Sequence, residues 1–206
     1  NPSSRIIALP AHIDGEKHGE EGVSGIKWIA SYPSNLARGI PRASAVLLLN
    51  DGATGYPYAC LESSIISAAR TAASAVSGAW HLNQQQAKTR SLSIIGTGLI
   101  ARFIIQFFIG TGWDIDQIVL YDRSTEYAEA FKQRLETDYA LNVSVVDSDL
   151  AAVRQGDIVV LTTTAGEPYL HDQTAFAHHP LMLNISLRDI GANVVLDAVN
   201  VVDDID

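Results

Sequence analysis

The segment Gly96-Thr97-Gly98-Leu99-Ile100-Ala101 lies between an apolar run, Leu92-Ser93-Ile94-Ile95, and a stretch of helical periodicity from Leu99 to Ile109. A glycine turn in that position suits phosphate. The first glycine makes the tight turn, the second lets the backbone approach a pyrophosphate, and the small residue at Ala101 allows close packing, with the helix N-terminus facing the anion. Gly96, Thr97, Gly98, Leu99 and Ile100 are therefore candidate cofactor contacts. The next apolar run ends Val119-Leu120-Tyr121-Asp122, which sets a carboxylate 26 residues after Gly96, where a ribose hydroxyl would lie. A carboxylate accepts from free ribose hydroxyls and repels a 2′-phosphate, so Asp122 favours NAD over NADP. Arg123, next in line and a candidate cofactor contact, keeps NADP open, although a solvated arginine after the strand is the plainer reading. The competing reading is a glycine turn in a nucleotide-free α/β protein, with Asp122 capping the helix after Ser124.

Three cations stand ahead of this segment: Lys27 in Gly25-Ile26-Lys27-Trp28, Arg38 in Ala37-Arg38-Gly39, and Arg70 in Ala68-Ala69-Arg70-Thr71-Ala72-Ala73. Lys27 sits in a β-type run among apolar residues, where a charge is costly unless something pairs with it, and a substrate carboxylate would provide the pairing. Arg70 is a single charge among Ala, Ser and apolar residues, and a guanidinium suits bidentate binding of carboxylate or phosphate. The plainer alternative for each is a snorkelling or internally paired side chain.

These residues need elements to hold them. Apolar runs at Arg5 to Leu9, Gly25 to Ala30, Ala45 to Leu49 and Tyr56 to Leu61, with Asn50-Asp51-Gly52 as a hairpin signal, predict an antiparallel sheet. Residues Glu62 to Leu82 carry apolar positions at helical spacing and predict a bridging helix with a small-residue packing face, followed by a polar connector at Asn83 to Gln86. From Ser91 the pattern alternates. Strands are expected at Leu92–Ile95, Ile118–Tyr121, Val143–Val146, Ile158–Thr162, Met182–Ser186 and Val199–Val202, and helices at Leu99–Ile109, Thr125–Tyr139 and about Leu150–Arg154. The expected fold class is α/β: a doubly wound Rossmann domain, residues 83–206, preceded by a mostly antiparallel β-sheet domain with its bridging helix, residues 1–82.

Composition narrows the function. With 14 Lys+Arg against 23 Asp+Glu the net charge is −9, which disfavours nucleic acid or an anionic membrane as partner. No run approaches the 18 or so apolar residues of a membrane helix, so a cytoplasmic location is expected. Cys60 is the single cysteine, and the adjacent His178-His179 precede Pro180 in a loop, so no disulfide scaffold and no metal site are expected. The chain opens at Asn1 without methionine and stops just after an apolar run, which reads as a piece cut from something longer at both ends.

Gly25-Ile26-Lys27-Trp28, Leu48-Leu49-Asn50-Asp51 with Thr54-Gly55, Ala69-Arg70-Thr71-Ala72-Ala73 and Ile95-Gly96-Thr97-Gly98 occur in an order and spacing that resembles the ornithine cyclodeaminase/μ-crystallin family over nearly the whole chain. Lys27-Trp28-Ile29, Asn35-Leu36-Ala37-Arg38-Gly39, Glu62-Ser63-Ser64-Ile65-Ile66-Ser67-Ala68 and Asn184-Ile185-Ser186 are similar to the branch that makes 2,3-diaminopropionate for siderophores and peptide antibiotics.

The resemblance implies roles. Lys27 would bind the substrate carboxylate and activate water, while Arg70 and Thr71 would contact cofactor phosphate or substrate. Ser44 would lie by the nicotinamide, and Thr162 to Thr164 together with Ser186 would line the cofactor site. Asp189 falls where the family's catalytic aspartate follows the fifth Rossmann strand, and is the candidate general base. The implied cofactor is NAD, the implied substrate a small amino acid, and the implied assembly a homodimer through the N-terminal sheet. The implied reaction is NAD-dependent oxidation of N-(2-amino-2-carboxyethyl)-glutamate, followed by hydrolysis to 2,3-diaminopropionate and 2-oxoglutarate. Ornithine cyclodeaminase, an alanine- or ketimine-type oxidoreductase and a non-catalytic μ-crystallin-like binder are the alternatives. The chain departs from the family where Ile190-Gly191-Ala192-Asn193 replaces a Pro-Gly-Lys turn, which weakens ornithine cyclisation. The family's upstream substrate arginine and its C-terminal return segment are also missing.

Overall fold

The computed structural model describes residues 4–15 and 22–202. The chain divides into two compact units, one reaching to Ala68 and the other beginning at Ala69. The sequence had suggested a division after residue 82. The difference arises because Ala72, Ala75, Val76 and Ala79, on the small-residue face expected of the bridging helix, are buried in the second unit's core.

The first unit is an antiparallel meander in the order β1-β2-β3-β4: β1 (Arg5–Ile13), β2 (Val23–Ser31), β3 (Ala43–Asp51) and β4 (Pro57–Glu62). A 3-10 turn at Pro33–Arg38, which the sequence reading missed, links β2 to β3 and ends at Gly39 with φ of 67°. The predicted hairpin joins β3 to β4. Asp51 holds it by accepting from the backbone and hydroxyl of Thr54 at 2.8 and 2.6 Å, and these bonds keep its carboxyl below the ordinary aspartate range. Asn50 adds a side-chain bond to the Gly55 carbonyl at 2.9 Å, so part of the family-like Asn50-Asp51 and Thr54-Gly55 pattern serves to close a turn. Helix α1 (Ser64–Leu82) starts two residues later than expected, because Glu62 still belongs to β4.

The second unit is a parallel sheet in the order β7-β6-β5-β8-β9. Its elements are β5 (Lys88–Ile95), α2 (Leu99–Gly110), β6 (Asp114–Tyr121), α3 (Thr125–Tyr139), β7 (Val143–Val145), α4 (Asp149–Gln155), β8 (Ile158–Leu161), β9 (Leu181–Asn184) and α5 (Ala192–Leu196). Side chains alternate across a strand. Leu92, Ile94, Ile118, Leu120 and Val160 therefore join α1, α2 and α3 in one core, while Ile95, Val119, Val159 and Leu161 pack with Ala152 and Val153 of α4 in another. The sheet is covered on both faces, as a doubly wound fold requires. Strand order reverses between β5 and β8, and the crevice at the carboxyl ends of such strands is where ligands bind in open α/β sheets.

The strand expected at Val199–Val202 does not form. Val199, Val201 and Val202 are exposed, and the Asn200 amide instead donates to the carbonyls of Val195 and Ala198, closing the end of α5. Residues 203–206, read from sequence as a solvated acidic terminus, lie outside the described residues. No helix among the described residues is long and apolar enough to cross a membrane.

Candidate active site

The glycine loop occupies the reversal point. Gly96 follows β5 with φ of +93°, and a Cβ there would stand 2.8 Å from the Thr162 carbonyl oxygen at the end of β8. Only glycine meets both demands. Its N–H donates to Tyr121 O at 2.8 Å, and the Thr162 hydroxyl donates to the Gly96 carbonyl at 2.6 Å. The Thr162 hydroxyl is thus committed to holding the loop, whereas Thr164 is exposed. Gly98 is the N-cap of α2 and supplies no side-chain cap, and a Cβ on it would meet nothing within 4 Å. Leu99 and Ile100 open the helix, Ala101 is fully buried, and the first turn has neither a side-chain cap nor an acid. An anion fits there by charge and by room.

Asp122 lies just beyond β6. One carboxylate oxygen accepts from Thr97 N at 2.8 Å and Thr97 Oγ1 at 3.0 Å, and the other accepts from Ser124 N at 3.0 Å. Asp122 thus supports the turn into α3, whose N-cap is Ser124, and borders the glycine loop. Arg123 is exposed.

Asp189 is fully buried. One of its oxygens accepts from Thr163 Oγ1 and, at 3.0 Å, from the Tyr169 hydroxyl; the other accepts from Ser186 Oγ. Its backbone carbonyl also takes the N–H groups of Tyr169 and Leu170 at 3.0 and 2.9 Å. Asp189 therefore ties the loop after β8 to the loop after β9, at the carboxyl edge of the sheet. Burial, and then the neighbouring Asp189 charge, push the Tyr169 phenol far above its ordinary value, so it stays a donor. With Asp189 closed to solvent, a ligand would reach its oxygens only through one of the hydroxyls. Tyr169 and Thr163 were not singled out as partners of Asp189, and no local spacing signals a tyrosine 20 residues away.

In the first unit, Lys27 on β2 donates to Ser67 Oγ at 3.2 Å, at the start of α1. Ser67 N in turn donates to the Ser63 carbonyl at 2.8 Å. Lys27 pairs with Leu47 and Ala30 with Ser44 in the sheet register. Because strands alternate faces, Ser44 and Lys27 project from opposite faces of the same sheet. Arg38 is exposed at the end of the 3-10 turn. In the second unit, Arg70 is exposed and joins no ion pair among the described residues, and Thr71, beside it on α1, is partly buried.

The parallel sheet, its glycine turn at the strand-order reversal and the open helix N-terminus behind it define a Rossmann-type α/β protein preceded by an antiparallel sheet unit. The family model described as "Ornithine cyclodeaminase/mu-crystallin family" matches residues 3–177, and the chain belongs to that family. It is 36% identical to an N-((2S)-2-amino-2-carboxyethyl)-L-glutamate dehydrogenase of Staphylococcus aureus (strain NCTC 8325 / PS 47), over 98% of this chain and 59% of the relative. A Delta(1)-pyrroline-2-carboxylate reductase of Bacillus cereus (strain ATCC 10987 / NRS 248) is 30% identical over 98% of this chain and 61% of the relative. The chain thus spans about three fifths of the length of these curated relatives. Among solved structures, CmnK superposes with a TM-score of 0.82 at 27% identity, covering 95% of this chain and 57% of that one. An archaeal alanine dehydrogenase dimer with bound NAD gives 0.69 at 26% identity, covering 84% and 50%.

Proposed function

We propose that the protein is an NAD-dependent oxidoreductase acting at a carbon–nitrogen bond, with N-(2-amino-2-carboxyethyl)-L-glutamate as substrate and 2,3-diaminopropionate and 2-oxoglutarate as products. The observation that carries the redox reading is the pairing of the open α2 N-terminus at Gly98 with the Asp122 carboxylate beside the same loop. The first suits a pyrophosphate and the second a ribose with free hydroxyls. The substrate assignment is supported by the 36% identity to the dehydrogenase of that name over nearly the whole chain.

The residues present fit the dinucleotide. Gly96, Thr97, Gly98, Leu99 and Ile100 would hold its pyrophosphate and Asp122 its adenosine ribose. Arg70 and Thr71 would add phosphate contacts, and Thr164 and Ser186 would line the nicotinamide end. When bound, the cofactor accepts hydride from the substrate carbon. The chain's own residues do the rest. Lys27, held by Ser67, would clamp a substrate carboxylate so that the reacting carbon stays aligned, and the Asp189 network would receive the proton released from nitrogen. Ser44 stands on the face opposite Lys27, so it belongs to this reading only as a cofactor neighbour.

A second reading within the same chemistry is reduction of a cyclic imino acid to the cyclic amino acid, favoured by the 30% identity to the pyrroline-2-carboxylate reductase. We propose a homodimer through the first sheet, on which Trp28, Val46 and Leu48 present exposed apolar surface. Sedimentation would show the dimer, and Val46→Lys would dissociate it. The activity test is NADH formation by the intact protein with N-(2-amino-2-carboxyethyl)-glutamate, and with ornithine and alanine in parallel. NADH and 2-oxoglutarate from the first alone support the proposal. NADH from alanine alone moves the assignment to the other oxidoreductases, and cyclisation of ornithine without net NADH moves it to a cyclodeaminase.

A further inference from the structure

The buried carboxylate of Asp189 has three hydroxyl donors and no cationic partner among the described residues. Burying such a group is costly unless it is well bonded, and here every bond comes from a side chain able to exchange a proton. The three hydroxyls are not equivalent. Thr163 Oγ1 already accepts the Ala165 N–H at 3.1 Å. The Tyr169 phenol donates to the same Asp189 oxygen as Thr163, so that oxygen already carries two hydroxyls, whereas Ser186 donates to the other. Ser186 Oγ donates to Asp189 and accepts from no described residue. It is partly exposed, and its N–H is pinned to Leu161 O at 3.0 Å, at the carboxyl end of β8 beside the strand-order reversal. All three residues are partly exposed, but among the described residues Ser186 is the one hydroxyl on Asp189 Oδ2, and its oxygen is open to a new donor.

We propose that Ser186 conveys the substrate's proton to Asp189, so that Ser186 is the catalytic residue and Asp189 the enclosed acceptor behind it, with Thr163 and Tyr169 as positioning residues. This rests on the oxidoreductase reading above. An N–H bond of the substrate's secondary ammonium breaks as an O–H bond forms on Ser186. The original Ser186 O–H bond breaks as its proton passes to Asp189 Oδ2. The freed nitrogen lone pair becomes the second bond of a protonated imine as hydride leaves the α-carbon, which is oxidised while NAD is reduced. Water then adds to the imine carbon and the carbon–nitrogen bond breaks, giving a keto acid and an ammonium product. Asp189 releases its proton through the same serine, accounting for the one proton produced per turnover.

The test is made on the intact protein, with kcat measured in H2O and D2O and NADH affinity measured separately by fluorescence titration. Ser186→Ala should lower kcat about 100-fold, within the range of a lost general base. The kcat is read at saturating NAD, so the loss stands apart from any weakening of NADH binding where Ser186 lines the nicotinamide end. Ser186→Thr, which restores a hydroxyl, should recover most of the loss. Asp189→Asn should lower kcat as much as Ser186→Ala, and the double variant no further, since the two act as a unit. The wild type should show a solvent isotope effect on kcat that Ser186→Thr retains. Turnover by Ser186→Ala within a few-fold of wild type, or additive losses in the double variant, would overturn the relay. A wild type that oxidises alanine but not N-(2-amino-2-carboxyethyl)-glutamate overturns the substrate assignment instead, and the same variants then decide the relay on alanine.

Discussion

Thr97 gives both its backbone N–H and its hydroxyl to a single oxygen of Asp122, at 2.8 and 3.0 Å, so the residue inside the glycine loop is fastened to the acid at the end of the neighbouring strand. One carboxylate therefore shapes the glycine loop, and on the proposed function it would also meet a ribose. Asp122→Ala should weaken NAD binding about 10-fold or more, the scale of losing hydrogen bonds to a charged acceptor. NADP should lose less, because its 2′-phosphate no longer meets a negative charge. Fluorescence titration with NADH and NADPH reads the difference, and equal losses would remove Asp122 from ribose recognition.

The two loop glycines should separate stability from binding. At Gly96, a φ of +93° and the Thr162 carbonyl 2.8 Å from a new Cβ make alanine costly. The backbone term alone is about 1–3 kcal/mol. Gly98 has φ of −81° and nothing within 4 Å of a Cβ. Gly98→Ala should unfold at nearly the wild-type denaturant midpoint yet bind NADH more weakly, because its methyl occupies the approach to the helix N-terminus.

Lys27→Met keeps the aliphatic stem and removes the charge. With Lys27 as a carboxylate clamp, KM for the amino-acid substrate should rise about 10–100-fold, the range of a charge-assisted hydrogen bond, while NADH affinity holds. A lowered NADH affinity with unchanged KM would place Lys27 outside substrate binding.

Tyr169 makes a pH-dependent contribution to stability. Its folded-state pKa is raised above the unfolded value, so its contribution is complete below about 10 and is lost as pH rises toward the folded value. Chemical denaturation should show wild-type stability falling above pH of about 10, and Tyr169→Phe should fall less steeply there. At neutral pH the variant should be less stable by about 1.5–3 kcal/mol, since one hydrogen bond to a buried carboxylate is gone. A parallel decline in both proteins would mean that another group governs the alkaline limb.

Most of the second unit was legible because its signals are local. Buried parallel strands read as apolar runs, the glycine loop announces itself by spacing, and α3 carries its own N-cap at Ser124. The 3-10 turn at Pro33–Arg38 and the short α5 escaped notice because each is too short for a helical period to show. Val199–Val202 misled for the opposite reason: its composition is strand-like, but propensity makes a strand only where a neighbour offers a ladder. There the Asn200 side chain bonds the end of α5 instead.

By itself, the sequence determined the glycine loop, the acid that follows it and the α/β alternation, since each depends on residues near in the chain with a known geometric period. It also carried the family, through patterns spread along the chain. Tertiary structure alone decided how Asp189 is used. Its partners Thr163, Tyr169 and Ser186 come from two loops that meet because β8 and β9 are parallel neighbours, and no local period relates positions brought together across a sheet edge. Strand register likewise decided that Lys27 and Ser44 project from opposite faces. A shift of one residue would have reversed that, and pairing across the sheet, beyond the reach of either strand's own sequence, sets the register.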